Sequence, residues 1–105
     1  MDIPNLDYID QLSGEDLEFR STFIKILQDE FPVEKLEYIE NIENGNFEAT
    51  AQNVHKLKHK MNILGLEQSY KLAVIFEEEL RLGNDRLKDD FMTIMNTIDN
   101  YLKTI

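Results

Sequence analysis

Apolar residues recur at helical spacing along most of the chain, and this periodicity restricts the possible fold more than any other feature. The clearest case is the last segment, where each apolar residue follows the previous one by three or four positions: Leu87, Phe91, Ile94, Ile98 and Leu102. Such spacing places the side chains on one face of an α-helix. No segment alternates apolar and polar residues as a half-buried strand does, so the sequence predicts an all-α fold.

The four glycines and two prolines indicate where the helices begin and end. A short segment, "NLDYIDQL", is closed by Ser13-Gly14, and either of these two residues is predicted to cap a helix that ends at about Phe31. Pro32 suits the first turn of a new helix, because a missing N–H costs nothing there. That helix should end at "NGN", residues 44–46. Three more helices are predicted from near Phe47 to about Leu64, with Gly65 as the stop, from about Glu67 to Leu82, and over 87–102.

Short connections between helices of similar length favour antiparallel neighbours. We therefore predict one domain over residues 1–105, an antiparallel up-down four-helix bundle with an additional N-terminal helix at its flank. The four tyrosines are expected at the edge of the core. The apolar residues expected at inward positions before the last helix are Leu17, Ile24, Leu27, Phe31, Leu36, Ile39, Ile42, Leu72, Ile75, Phe76 and Leu80.

The composition excludes several classes of function. Cysteine is absent, so disulfides, thiolate metal sites and cysteine nucleophiles are excluded. A formal net charge of −10 argues against binding to nucleic acid or to an anionic membrane. The first residues, "MDIPNLDYID", lack the basic and then apolar layout of a secretory signal, and no apolar run is long enough to span a bilayer. We therefore expect a cytoplasmic protein.

Positive charge nevertheless gathers in the stretch "VHKLKHKMNILGLE", residues 54–67, which contains both histidines and three of the eleven basic residues within six positions. On a helical wheel, Val54, Leu57, Met61 and Leu64 form the buried stripe. His55 falls roughly 150° from the centre of that stripe and is predicted to face solvent. The same outward region is predicted to carry Ala51, Gln52, Lys58, His59 and Asn62, with Lys56 and Lys60 at its borders and Ile63 nearby.

A solvent-exposed imidazole beside lysines permits phosphoryl chemistry. The neutral ring has one nitrogen free to act as a nucleophile, and ammonium groups offset the negative charge of a phosphoryl group. On spacing alone, a solvated polar helix face that carries out no chemistry is the favoured interpretation.

Residues 47–83, "FEATAQNVHKLKHKMNILGLEQSYKLAVIFEEELRLG", resemble the histidine-containing phosphotransfer (HPt) domain family. The family core reads roughly His-x-Leu-Lys-Gly-Ser, followed by Leu-Gly and then a helix with leucine and glutamate. His55, Leu57 and Lys58 match the first part, Leu64 and Gly65 match the second, and Glu77 stands where the family commonly has its glutamate. The predicted bundle is also the family's architecture, so the resemblance extends over essentially the whole chain.

The resemblance implies that His55 accepts a phosphoryl group from an aspartyl phosphate and that Lys58 stabilises it. The implied partners are receiver domains of response regulators or hybrid histidine kinases, which would also supply Mg²⁺. This chain would then need no cofactor of its own. It has no ATP-binding signature, so we expect a phosphotransfer intermediate without kinase activity. Two residues depart from the family, His59 and Lys60, which stand where Gly and Ser are usual. The implied docking surface comprises Ala51, Gln52, Lys56, His59, Lys60, Asn62 and Ile63.

Two alternatives follow from the same residues. The basic surface is also that expected of an interaction module that docks an acidic protein without chemistry. Alternatively, His55 and His59, one helical turn apart, have the spacing of a two-histidine metal clamp, with Glu48 and Gln52 as further ligands on the same face. The neighbouring lysines oppose the binding of a cation there.

Overall fold

The computed structural model describes residues 2–105 and contains five α-helices and no strand within that range. The all-α prediction is therefore confirmed. None of the five helices is both long enough and apolar enough to cross a membrane. The helices, numbered in chain order, are α1 (Asp7–Ser13), α2 (Leu17–Glu43), α3 (Phe47–Ile63), α4 (Glu67–Arg81) and α5 (Lys88–Leu102).

The longest helix, α2, runs without interruption through Pro32, so the predicted break after Phe31 is wrong. Proline removes one backbone hydrogen bond, but its φ is compatible with a helix. The buried residues of α2 keep the same face on both sides of Pro32, and packing therefore holds the two halves in one register. These residues are Ile24, Leu27, Phe31 and Tyr38.

The start of α2 also differs from the prediction. Its N-cap is Asp16, whose Oδ1 accepts a hydrogen bond of 2.9 Å from the backbone N–H of Phe19. Ser13 instead belongs to α1, where its hydroxyl donates to the carbonyl oxygen of Ile9. Aspartate is among the residues that favour this capping position, and it lies just downstream of the predicted caps.

The core is formed between the helices around an aromatic cluster of Tyr38, Phe76 and Phe91, whose ring centroids lie 5.0–6.3 Å apart. Tyr38 is fully buried, so its predicted place at the edge of the core is wrong. Within this core α2 contacts α3, α3 contacts α4, α4 contacts α5, and α5 contacts α2, while α1 packs on α2.

Three residues that the periodicity placed inward are exposed: Leu17, Leu36 and Ile75. Leu17 is the first residue of α2, at the open end of the helix. Leu36 precedes buried Tyr38 by two positions, which is about 160° around the helix. Ile75 is next to buried Phe76 and points about 100° away from it. Helical spacing from a single apolar neighbour is therefore not enough to predict that a side chain is buried where the buried face of the helix is narrow.

The connection between α3 and α4 is held by the N-terminal segment. Gly65 has a φ of 75°, and the predicted stop of the histidine helix there is confirmed. The backbone N–H of Asn5 donates to the carbonyl of Leu64, which caps α3. Asp2 accepts hydrogen bonds from the backbone N–H groups of Gln68 and Ser69 and thus caps α4, which has no capping side chain at its own N-cap.

Candidate functional site

His55 lies in the middle of α3 with 52% of its side chain exposed, as predicted. Its Nδ1 atom is 3.2 Å from Oε2 and 3.3 Å from Oε1 of Glu77, on the neighbouring helix α4. Because a carboxylate only accepts hydrogen bonds, this contact requires the proton on Nδ1. In the neutral ring, the other nitrogen, Nε2, then carries the free lone pair.

Glu77 also accepts hydrogen bonds from two cationic side chains, those of Lys58 and Arg81. Nζ of Lys58 donates to Oε1 at 2.9 Å, and the guanidinium of Arg81 donates to Oε2 at 3.1 Å. Arg81 also pairs with Glu48, in the first turn of α3. Only 12% of the Glu77 side chain is exposed, so one carboxylate well removed from water holds three side chains in position.

These contacts keep Glu77 ionised. Burial alone would raise the pKa of its carboxyl group, but hydrogen bonds from Lys58, Arg81 and His55, together with the charge of Lys58, outweigh burial and lower the pKa. A permanent negative charge beside Nδ1 stabilises a positive imidazole ring. The carboxylate would therefore stabilise the positive charge that the ring gains when Nε2 forms a covalent bond.

An open depression of about 330 Å³ lies directly over this group and is lined by Gln52, His55, Lys56, Glu77 and Arg81. It combines one imidazole, one amide, two side chains that carry positive charge and the carboxylate of Glu77. A small anionic group that reached the imidazole there would be bordered by cationic side chains. The volume and the lining suit a small anionic group better than a large substrate.

Helix α3 packs against both α2 and α4, and this widens its buried surface to about half of its circumference. For this reason the wheel misplaced Ala51 and Lys60, and the predicted exposure of both residues is wrong. Ala51 is fully buried, and Lys60 is 9% exposed. Nζ of Lys60 lies 2.7 Å from Glu34 and 3.2 Å from Glu30, both on α2.

The cluster of three lysines is consequently not a free basic surface. Lys58 is paired with Glu77, and Lys60 is paired with Glu30 and Glu34. Of the three, only Lys56 forms no ion pair within residues 2–105. This distribution removes much of the positive field that an interaction module for an acidic protein would require.

The remaining predicted surface residues lie close to His55 along α3. Gln52, Lys56, His59 and Asn62 are exposed, as predicted, whereas Ile63 is partly buried against the core. The ring of His59 lies edge-on to that of His55, with 5.2 Å between their centroids. His59 therefore narrows the approach to His55 from the C-terminal side of α3.

Sequence reasoning missed Arg81 and assigned no contact to Glu77. The available signal was the spacing within α4, since Glu77 and Arg81 are one turn apart and a glutamate four residues before an arginine favours pairing. Glu77 is 22 positions from His55 in the sequence, so no local pattern indicated the contact between them. Only the packing of α4 on α3 brings these side chains together.

The two-histidine metal site gains no further ligand. Across residues 2–105, no three side chains among His, Asp and Glu are grouped to hold a metal ion. Glu48, which the sequence offered as a ligand, is paired with Arg81 instead.

Comparison of the chain with protein-family models, with curated proteins and with solved structures finds no match in any of the three.

Proposed function

We propose that this protein is a histidine phosphotransfer protein that relays a phosphoryl group between aspartates of receiver domains, with His55 as the acceptor. The observation that carries the proposal is the contact between Nδ1 of His55 and the carboxylate of Glu77, on an imidazole that is otherwise open to solvent. Glu77 is only 12% exposed and its pKa is lowered, so the imidazole has an ionised carboxylate partner on another helix.

In the proposed reaction, the lone pair on Nε2 of His55 attacks the phosphorus of an aspartyl phosphate. The new N–P bond forms as the P–O bond to the aspartate breaks, and the aspartate carboxylate leaves with the electron pair. No proton has to leave Nε2, because the proton of the neutral ring is on Nδ1. The ring gains positive charge, which Glu77 stabilises at 3.2 Å. The attack of a second receiver's aspartate on phosphorus reverses these steps.

The cations near His55 have different roles in this proposal. Lys58 and Arg81 hold Glu77 in place and keep it ionised. Lys56 and the exposed part of Arg81 border the depression and offset the negative charge of the phosphoryl group. The role that the resemblance assigns to Lys58, direct stabilisation of the phosphoryl group, requires its Nζ to turn away from Glu77 during transfer.

The docking surface proposed for the receiver consists of the exposed residues around His55, namely Gln52, Lys56, His59 and Asn62. Ile63 contributes the part of its side chain that the core leaves open. Ala51 and Lys60 are assigned structural roles, because their side chains are buried. Ala51 lets α3 approach its neighbours, and Lys60 ties α3 to α2.

The proposed architecture is an antiparallel four-helix bundle of α2 to α5 with α1 at its flank. Contacts between neighbouring helices support this arrangement, because higher residue numbers on one helix pair with lower numbers on the next. Between α3 and α2, Asn53 contacts Asn41 and Lys60 contacts Glu30. Between α3 and α4, Glu48 contacts Arg81 and His55 contacts Glu77. Between α2 and α5, Lys35 contacts Asn96 and Gln28 contacts Leu102.

We propose that Mg²⁺ is supplied by the receiver, because the aspartyl phosphate that the receiver carries requires a metal. The partners would be receiver domains of response regulators or hybrid kinases, in the cytoplasm. The chain would act as an intermediate in group transfer and would not use ATP.

The test is incubation with a phosphorylated receiver and Mg²⁺, followed by detection of label on this chain. We expect wild type and His59→Gln to take up label and His55→Gln to take up none. The His59 variant is a matched control, since it removes a second exposed imidazole from the same face. Equal labelling of His55→Gln and wild type would exclude His55 as the acceptor.

A further inference from the structure

His55 and His59 lie one turn apart on the exposed face of α3, and their rings are close together. The ring centroids are 5.2 Å apart, and the ring planes are nearly perpendicular, at 88°. Two imidazoles that bind one metal ion at metal–nitrogen distances of about 2.1 Å and a tetrahedral angle have centroids about 5 Å apart. The two rings therefore have the separation of a histidine pair that chelates one ion.

The carboxylate of Glu77 adds a second observation that points to a metal ligand. Metal-binding histidines usually donate the N–H of one ring nitrogen to a carboxylate, a carbonyl or water, which orients the ring and makes the other nitrogen more basic. Glu77 accepts from Nδ1 of His55 in this way, at 3.2 Å, and leaves Nε2 available. The side chain of His59 is exposed, so its ring is free to turn a nitrogen towards the same ion.

The cationic side chains around the pair oppose a metal ion less than the sequence indicated, because carboxylates neutralise most of them. Lys58 and Arg81 both pair with Glu77, and Lys60 is buried against two carboxylates of α2. Within residues 2–105, Lys56 is the one lysine of this group without an ion pair. The formal net charge of −10 also draws divalent cations to the protein.

We propose that His55 and His59 together bind one divalent transition-metal ion of the class that prefers imidazole, such as Zn²⁺, Ni²⁺ or Cu²⁺. No third His, Asp or Glu within residues 2–105 is grouped with the pair, so water fills the remaining positions and the ion exchanges with solvent. His59 stands where the HPt family usually has glycine, and the site is therefore not one that the resemblance implies.

The bound ion occupies the lone pair of Nε2 of His55, which is also the proposed nucleophile. A metal ion and a phosphoryl group therefore exclude each other at this nitrogen, and the ion acts as a reversible inhibitor of phosphoryl transfer. The inhibition rests on the proposed function, whereas the binding of the metal ion does not.

The binding test is a titration of the full chain with ZnCl₂, followed by the NMR resonances of the two imidazole rings. His55→Gln and His59→Gln each remove one exposed ligand. The matched control is Glu78→Gln, which introduces the same amide in place of an exposed carboxylate on α4. A parallel titration with MgCl₂ reports the general attraction of divalent cations to an acidic surface, because Mg²⁺ prefers oxygen ligands.

We expect both imidazoles to shift with zinc along one binding curve. Loss of either histidine should raise the Kd at least about tenfold, since one of the two protein ligands is gone. Glu78→Gln should change the Kd less than about twofold, and Mg²⁺ should leave both rings unshifted. A wild-type Kd in either histidine variant, separate curves for the two rings, or equal shifts with Mg²⁺ would overturn the inference.

Labelling by phosphoramidate tests the inhibition. The N–P bond of the reagent breaks, ammonia leaves, and the phosphoryl group is transferred to Nε2 of His55 without a receiver. Zinc at about ten times its Kd should slow the labelling of wild type about tenfold, since roughly one chain in ten then has Nε2 free. The same zinc concentration should slow His59→Gln less than about twofold. Equal slowing of both chains would overturn the proposed chelate.

Failure of this inference and failure of the proposed function are distinguishable. If neither phosphoramidate nor receivers label the wild-type chain in the absence of zinc, the proposed function fails, and the zinc titration still decides whether the histidine pair binds metal. If His55 is labelled but His59→Gln binds zinc as wild type does, only the metal inference fails.

Discussion

Glu77 Oε2 lies 3.2 Å from Nδ1 of His55, although the two residues are 22 positions apart in the chain. This contact orients the imidazole and selects the nitrogen that remains free. It also couples the site to the packing of α4 on α3, because any shift between these helices would change the distance between the two side chains.

Replacing Glu77 by Gln should slow the phosphorylation of His55 by about tenfold, because the amide still accepts a hydrogen bond but no longer balances the positive ring. The rate of labelling by phosphoramidate measures the effect. Glu78→Ala is the control, since Glu78 is an exposed carboxylate on the same helix. A labelling rate for Glu77→Gln equal to that of wild type would show that the carboxylate has no part in the reaction.

His59→Gly and His59→Ala should speed transfer from a receiver to His55 by a few-fold, because removal of the ring clears the approach beside His55. The comparison of the two variants separates the loss of the ring from the added backbone freedom of glycine, which costs about 1 kcal/mol within a helix. Stopped mixing of phosphorylated receiver with each variant gives the rates. Slower transfer in both variants would indicate instead that His59 contacts the phosphoryl group.

Gly65→Ala should destabilise the chain more than Gly45→Ala. Both glycines have positive φ, 75° and 71°, so each substitution should cost about 1 kcal/mol of unfolding free energy for the left-handed backbone alone. A Cβ at Gly65 would in addition lie 2.5 Å from Nδ2 of Asn5, whereas one at Gly45 would meet no atom within 4 Å. Urea denaturation measures both variants. The excess cost should disappear in an Asn5→Ala background, and its persistence there would refute the steric explanation.

Pro32→Ala should raise the unfolding free energy by about 1–2 kcal/mol. Alanine restores the backbone donor in the middle of α2, and the greater freedom of the unfolded chain offsets part of that gain. Pro32 is exposed, so little packing is lost. Thr22→Ala, at an exposed site of the same helix, is the control for the higher helix propensity of alanine. We expect it to raise the unfolding free energy by a few tenths of a kcal/mol. Equal gains for the two variants would mean that the proline costs α2 nothing.

Asp2→Ala should remove a pH-dependent part of the stability. Burial would raise the pKa of Asp2, but hydrogen bonds from the Ser69 hydroxyl and from the backbone N–H groups of Gln68 and Ser69 lower it below 3.8. A lowered native pKa means that the charged form stabilises the fold above pH 3.8 and that this contribution is lost as the pH falls through the native pKa. The expected loss at neutral pH is about 1 kcal/mol, as for other helix caps.

Thermal unfolding of Asp2→Ala and wild type between pH 2 and pH 7 tests this prediction. The two stabilities should converge in acid and differ at neutral pH. A constant difference over the whole range would assign the effect of the substitution to something other than the charge on Asp2.

Much of the fold follows from local pattern. The stripe from Leu87 to Leu102 and the left-handed stop at Gly65 depend on neighbouring residues, and for that reason the helices α3 to α5 were predicted nearly to the residue. The exposure of His55 was predicted because it lies roughly 150° from the centre of the predicted buried stripe of α3. Pro32 misled the prediction, since a local preference for starting a helix was overridden by the continuous buried face of α2.

Tertiary packing decided the rest. Ala51 and Lys60 are buried because α3 has helices on two sides, and a wheel drawn for a single stripe contains no such information. The convergence of His55, Lys58 and Arg81 on Glu77 depends on how α4 lies along α3. Helix formation is set by residues within about one turn of each other, whereas the chemistry of an imidazole depends on charges a few ångströms away in space, wherever they stand in the chain.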